Sequence, residues 1–334
     1  MRPLLLLLLL ACAPPKPSSE VEIADTSDPS EPSEATSWID PACPDGAYAE
    51  TLPAAEEDLS DLLEGFDEAD PETLIGDMLS RRYPFGAWAL ERAPPVSGDT
   101  CAGTFLSIMG PSFVATPQVM SLAATILVHE CGHLVDASAE EGGGRWLQLT
   151  VDLGLAASGA GAPPSPARSQ ILADAYASQR PPCADDATAG DACDSYADTY
   201  LSGDPDDDVF DSGDQGLDLV AEELLQYTHS LATALALQDL APRSSYRDGV
   251  LTFLWYTERL LALWRAEDPD GWRLAMDEGA NAELLLTLWG QAWLYLDATA
   301  ALPLGVNDAA IAPLVLDPTL LAEIDALRAV VGCR

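Results

Sequence analysis

Apolar residues recur at helical spacing over most of the chain beyond residue 46, and strand-like alternation is rare. This periodicity predicts helices at roughly 54–65, 71–82, 117–138, 144–157, 166–179, 215–240, 246–266, 280–300 and 317–331. Only two short runs, 87–92 and 104–109, are typical of β-strands. We therefore expect residues 46–334 to form a mainly α domain with a small β-sheet (α+β) and a helical C-terminal portion.

The helix predicted at 117–138 contains His129-Glu130-Cys131-Gly132-His133, which fits the pattern H-E-x-x-H. Thr116 precedes this helix and Pro117 is its first residue, a combination that favours a helix start. On a helix, positions i and i+4 share a face, so both imidazoles can reach one Zn²⁺ ion. Glu130 would then lie beside a water on that ion and could take its proton. The alternative is that both histidines are ordinary residues of a buried helix.

A catalytic zinc site needs a third protein ligand and an open position for water. The metzincin pattern, with a third histidine six residues beyond the second, does not fit because residue 139 is alanine. The best source of a ligand is the amphipathic helix predicted at 215–240. Asp218 and Glu222 share one face of this helix, whereas Glu223 lies about 100° around it and is expected to be solvated.

Two segments carry a resemblance to a known family: H-E-C-G-H-L-V-D at 129–136 and L-V-A-E-E-L at 219–224. They resemble gluzincin-like zincin metallopeptidases of the anthrax lethal factor-like and Pro-Pro endopeptidase group, whose patterns are H-E-x-G-H-x-x-D and E-x-F-A-E-x-F. The resemblance implies a zincin-like domain, zinc-dependent peptide hydrolysis and a zinc ligand at Asp218, the position of the first glutamate. Glu222 is the other candidate, because its side chain is one methylene longer.

The family also places an oxyanion-stabilising tyrosine seven residues before its ligand glutamate. The residues seven positions before the two candidate ligands are Asp211 and Gln215, so this sequence departs from the pattern. Tyr227, His229 or a tyrosine further away would have to take that role. Asp136, three residues after the second histidine, is expected to accept a hydrogen bond that orients a ligand histidine or the second helix. Helix capping is the alternative role for Asp136.

The N-terminus has an arginine followed by a short leucine run, which is typical of an export signal. Leu9-Leu10-Ala11-Cys12 resembles the lipobox of bacterial lipoproteins. The resemblance implies a signal peptide at 1–11, a lipidated Cys12 and a place in the bacterial cell envelope, facing the periplasm or the exterior. The residue after the cysteine is Ala13 and not aspartate, which by the rules of that family would direct the protein to the outer membrane. An ordinary secretory signal is the alternative. Residues 12–45 are acidic and rich in Pro and Ser, which predicts a disordered tether.

The chain has seven cysteines, and without Cys12 an even number remains. An even number in an exported chain favours disulfides. Several connectivities are open to these cysteines. Residues 183 and 193, which flank a polar loop, are the favoured pair; residues 43 and 333, at the two ends of the domain, could form a second, which would leave residues 101 and 131. Cys131 is therefore predicted to be a disulfide or packing residue and not a zinc ligand.

The chain has 55 acidic and 15 basic residues, a net charge of −40. Such a charge excludes a nucleic-acid-binding surface and argues against docking on anionic lipid, so membrane contact is expected only through the N-terminal lipid. It favours a peptide or protein substrate that is neutral or basic. A salty habitat would explain the acidity equally well.

These features together predict a lipid-anchored, exported zinc metallopeptidase in which Glu130 is the general base for a zinc-activated water. The same residues would also suit a hydrolase of other amides. The alternative from a different class is a non-catalytic surface lipoprotein that retains the zincin frame for partner binding.

Overall fold

Helices make up most of the chain in the computed structural model, which describes residues 38–64, 70–139, 146–156, 164–173, 195–201, 214–240, 244–277 and 281–333. The helices are α1 (Pro44–Ala47), α2 (Ser60–Glu64), α3 (Pro71–Arg82), α4 (Pro84–Arg92), α5 (Cys101–Met109), α6 (Pro117–Ala139), α7 (Gln170–Ala173), α8 (Ser195–Tyr200), α9 (Leu217–Ala236), α10 (Tyr246–Glu267), α11 (Pro269–Asp277), α12 (Asn281–Ala298), α13 (Asp308–Val315) and α14 (Pro318–Val330). A short 3₁₀ helix, Pro111–Val114, precedes α6. Within the described ranges the strands are β1 (Trp146–Gln148) and β2 (Gly154–Ala156), which pair antiparallel. The prediction of a mainly helical chain with a small sheet is confirmed.

Helices α6 and α14 begin at side-chain caps. At α6 the Thr116 hydroxyl accepts a hydrogen bond from the Val119 N–H at 3.3 Å, and at α14 the Asp317 carboxylate accepts one from the Thr319 N–H at 2.8 Å. In each case a proline occupies the first helical position, where its missing N–H costs nothing. The helices predicted at 71–82, 117–138, 215–240, 246–266, 280–300 and 317–331 are confirmed, with ends that differ by a few residues.

Both predicted strands are wrong, because residues 87–92 lie in α4 and residues 104–109 lie in α5. Pro84 starts α4, and the Thr100 side chain caps α5 by accepting the Gly103 N–H at 3.0 Å. Each helix buries residues four apart, such as Phe85 and Ala89 in α4. A short apolar run does not distinguish a strand from one face of a buried helix, so the caps should have decided the prediction.

The helix predicted at 144–157 is also wrong, because this segment forms the β1–β2 hairpin. The Thr150 hydroxyl accepts the Leu153 N–H at 3.1 Å and closes the turn. Leu147 and Leu149 are buried while Gln148 between them is partly exposed, which is the alternation of a strand. Of the other short predictions, only 60–64 within 54–65 and 170–173 within 166–179 are α-helical among the described residues.

Helix α9 packs against α6 and also against α10. It is buried along nearly its whole length and carries polar side chains, including Glu223, Gln226 and Ser230, into the interior. Gly132 of α6 leaves room for the side-chain amide of Gln226 on α9, because a Cβ atom there would collide with that amide in its present position.

Two disulfides confirm two of the predicted pairings. Cys43 pairs with Cys333, with Cα atoms 5.4 Å apart, and Cys101 pairs with Cys131, with Cα atoms 5.9 Å apart. The first joins the two ends of the domain, and the second ties α5 to α6. Cys131 is a disulfide residue, as expected. The predicted pairing of residues 183 and 193 lies outside the described residues.

The predicted signal peptide, Cys12 and most of the predicted tether lie outside the described residues. Among the helices that the structure describes, none is both long and apolar enough to cross a membrane.

Candidate metal centre

Two helices bring three potential metal ligands together: His129 and His133 from α6 and Glu223 from α9. Their ligand atoms all lie within 4.8 Å of one another. One Glu223 oxygen, Oε2, is 3.4 Å from His129 Nε2, and the other, Oε1, is 3.6 Å from His133 Nε2. Two ligands of a tetrahedral zinc ion with bonds of about 2.0–2.1 Å are separated by about 3.3 Å. The separations of the Glu223 oxygens from the two imidazole nitrogens are therefore close to the spacing that one metal ion requires.

Each imidazole has a polar partner at Nδ1, the ring nitrogen that does not face Glu223. His133 Nδ1 donates to Glu222 Oε1 at 2.7 Å, and His129 Nδ1 lies 3.3 Å from the Ser230 hydroxyl. Neither Nε2 atom has a hydrogen-bond partner among the residues that the structure describes, although both are buried. A hydrogen bond at one ring nitrogen fixes the tautomer and leaves the other nitrogen as an acceptor for a metal. Both rings are therefore oriented so that Nε2 could bind a metal ion.

The charges around the three residues favour a bound cation. Burial alone would lower the pKa of His133, but the carboxylates of Glu223, Glu222 and Glu130 raise it to about 10. Burial alone would raise the pKa of Glu223, yet the nearby imidazoles of His133 and His129 and the hydroxyl of Tyr200 hold it below its ordinary value. The same carboxylates that raise the pKa of His133 would stabilise a divalent cation between the three residues.

The third residue of the group is Glu223, not Glu222 or Asp218. The expectation that Glu223 is solvated is wrong, because only 2% of its surface is exposed. Glu222 lies at the rim and holds His133 through Nδ1, and Asp218 is exposed one turn earlier. The physical reason is the rotation of α9, which turns position 223 towards α6. The family pattern placed the ligand at 218 or 222, and this helix places a buried carboxylate at 223.

Glu130 is also buried, with 1% of its surface exposed. It follows His129 on α6, and its carboxylate is close enough to His133 to help raise the pKa of that imidazole. The structure therefore brings the carboxylate of Glu130, the predicted general base, near His133.

Asp136 joins three elements next to the site. Its Oδ1 accepts the Gln148 N–H of β1 at 2.8 Å, and its Oδ2 accepts the side-chain amide of Gln226 on α9 at 2.8 Å. Burial raises its pKa well above the ordinary value. These bonds orient the second helix, one of the two roles expected of Asp136.

Tyr227 lies edge-on against His129, with ring centroids 4.9 Å apart, and stacks on Phe253 at 4.9 Å. Its hydroxyl lies 3.3 Å from the Tyr200 hydroxyl. Tyr227 is thus part of the wall behind the first histidine.

His229 is engaged elsewhere. The Tyr83 hydroxyl donates to its Nδ1 at 2.9 Å, and its Nε2 donates to the Gln148 carbonyl at 3.2 Å. Burial lowers its pKa to about 3, so the ring is neutral. Because both ring nitrogens bond to the surrounding fold, His229 does not belong to the metal group, and its role is to connect α9 with β1 and Tyr83.

Sequence reasoning missed Tyr200 and Ser230. The Tyr200 hydroxyl donates to Glu223 Oε2 at 3.3 Å, and Tyr200 lies in an acidic segment with no motif that would have revealed it. Ser230 could have been found, because it follows Glu223 by two helical turns and therefore shares its face.

No family model, curated protein or solved structure matches this chain.

Proposed function

We propose that this protein is a zinc-dependent metallopeptidase of the zincin type, with zinc held by His129, His133 and Glu223. The observation that carries the proposal is the convergence of two imidazole nitrogens and one carboxylate, all buried, from two helices. The H-E-x-x-H pattern around Glu130 selects peptide hydrolysis among the reactions that such a site could perform.

The donor set favours zinc over the harder cations. Calcium and magnesium prefer all-oxygen sites, whereas imidazole nitrogens suit zinc and its transition-metal neighbours. Two histidines and one glutamate are a known catalytic zinc set, which leaves a fourth position open. Bound there, zinc would act as a Lewis acid that polarises the scissile carbonyl and acidifies water.

Glu130 would act as the general base and then as the general acid. Its carboxylate takes a proton from the attacking water and returns it to the nitrogen of the leaving amine. Glu222 and Ser230 keep the two imidazoles in the tautomer that presents Nε2 to the metal. Asp136 holds α9, and with it Glu223, against α6 through Gln226.

The proposed setting is the bacterial envelope, with the domain anchored through a lipid on Cys12. The net charge of −40 supports a substrate that is neutral or basic, because an acidic peptide would be repelled.

A second function has one observation in its favour. His129 is fully buried, and Glu130 and Glu223 are 1% and 2% exposed. Such burial also suits a structural metal in a non-catalytic surface lipoprotein that binds a partner.

The two functions are separated by metal removal. We expect the purified protein to contain about one zinc per chain and to cleave members of a mixed peptide library. A chelator should abolish cleavage, and added zinc should restore it. Stoichiometric zinc without cleavage would favour the scaffold, and a protein that neither contains nor takes up zinc would contradict the metallopeptidase.

A further inference from the structure

We infer that metal binding at this site is coupled to the docking of α8 through Tyr200, which positions the ligand carboxylate of Glu223. The inference rests on the proposed metal site and adds a third chain segment to it. Tyr200 is thus a positioning residue, because it acts on the metal through Glu223.

The contact that carries the inference is made to one oxygen atom. Tyr200 donates its hydroxyl proton to Glu223 Oε2 at 3.3 Å, and the same Oε2 lies 3.4 Å from His129 Nε2. The Tyr200 hydroxyl is therefore one hydrogen bond away from the position of the metal. Since Glu223 is 2% exposed, solvent has little access to replace this donor.

Helix α8 is seated by aromatic packing on α9 and α10. The Tyr200 ring meets Phe253 edge-on at 4.8 Å, and the Tyr196 ring meets Tyr227 edge-on at 5.7 Å. Tyr196, Tyr200 and Leu201 are all buried. A helix of six residues is too short to persist without such packing, so the position of Tyr200 depends on docking of the whole helix.

Docking of α8 should therefore strengthen metal binding, and metal binding should stabilise the docked position of α8. With α8 docked, Tyr200 holds the Glu223 carboxylate with its oxygens towards the two imidazoles. Loss of an outer partner of a metal ligand typically weakens metal binding about 10–100-fold. Because thermodynamic coupling is reciprocal, bound metal favours docking of α8 by the same factor.

The first measurement compares zinc affinities in competition with a chromophoric chelator. Tyr200→Phe keeps the aromatic ring and removes the hydroxyl, so we expect zinc binding about 10–100-fold weaker. Tyr196→Phe is the matched control, because it lies on the same helix, keeps the ring that packs on Tyr227, and removes a hydroxyl that donates to the Ser245 carbonyl at 3.4 Å and not to Glu223. Its zinc affinity should stay within about two-fold of wild type.

The second measurement is hydrogen exchange over residues 195–201 with and without zinc. In the wild type and in Tyr196→Phe, zinc should slow exchange in this segment by about 10–100-fold, and in Tyr200→Phe the slowing should largely disappear. A purely structural role of Tyr200 would change exchange equally with and without zinc.

The inference is overturned if Tyr200→Phe binds zinc as tightly as the wild type, or if zinc leaves exchange at 195–201 unchanged in the wild type. In both outcomes the wild-type protein still binds zinc, and the proposed function survives. A wild-type protein that binds no zinc would overturn both proposals, so the two failures are distinguishable.

Discussion

Replacing Glu130 with glutamine should nearly abolish peptide hydrolysis and leave zinc in place. Glutamine has the same shape as glutamate, but its amide cannot take a proton from the attacking water. Removing a general base typically costs about 10²–10⁴-fold in rate. The three potential ligands, His129, His133 and Glu223, are untouched in this variant. Steady-state cleavage of a library-derived peptide and the zinc content of the same sample give the two readouts.

The matched control for that variant is Glu267→Gln, which removes the same charge at an exposed position near the end of α10. It should retain wild-type cleavage. Undiminished cleavage by Glu130→Gln, with zinc bound, would show that Glu130 is not the base.

Substitutions at the adjacent residues Glu222 and Glu223 should affect zinc binding to very different extents. Glu223→Gln removes the carboxylate that faces both Nε2 atoms. Zinc affinity should therefore fall by more than ~100-fold, which is the largest loss typical of residues that only hydrogen-bond to a metal ligand. Glu222→Gln keeps an oxygen that can accept the His133 Nδ1 proton and removes only the negative charge, so a loss of no more than about 10–100-fold is expected. Asp218→Asn, at an exposed position, should leave the affinity unchanged.

The three variants can be ranked in one competition titration, because each exchanges a carboxylate for its isosteric amide. The ranking also tests the choice between the family pattern and the structure. If Glu222→Gln or Asp218→Asn lost zinc while Glu223→Gln retained it, the ligand assignment would be wrong.

The half of the site that lies on one helix could be predicted from the sequence. The spacing of His129 and His133 and the cap at residue 116 depend only on local geometry, and α6 has both. Part of the disulfide pairing could also be predicted, since two of the three expected pairs join residues that the fold brings together.

The identity of the third potential ligand, Glu223, depends on tertiary packing. Which face of α9 meets α6 is decided by contacts such as Gln226 against Gly132, and these have no periodic signature. A register error of one residue turns a helical side chain by about 100°, enough to exchange a buried carboxylate for one at the rim. The contact of Tyr200 with Glu223 could not be predicted for the same reason, because Tyr200 comes from a separate segment of the chain.

The most direct test is to locate zinc by anomalous scattering in crystals of the wild-type protein. We expect one strong peak about 2.0–2.2 Å from His129 Nε2, His133 Nε2 and an oxygen of Glu223. No peak between the two imidazoles, or a peak bound by other side chains, would contradict the metal centre on which the proposed enzyme depends.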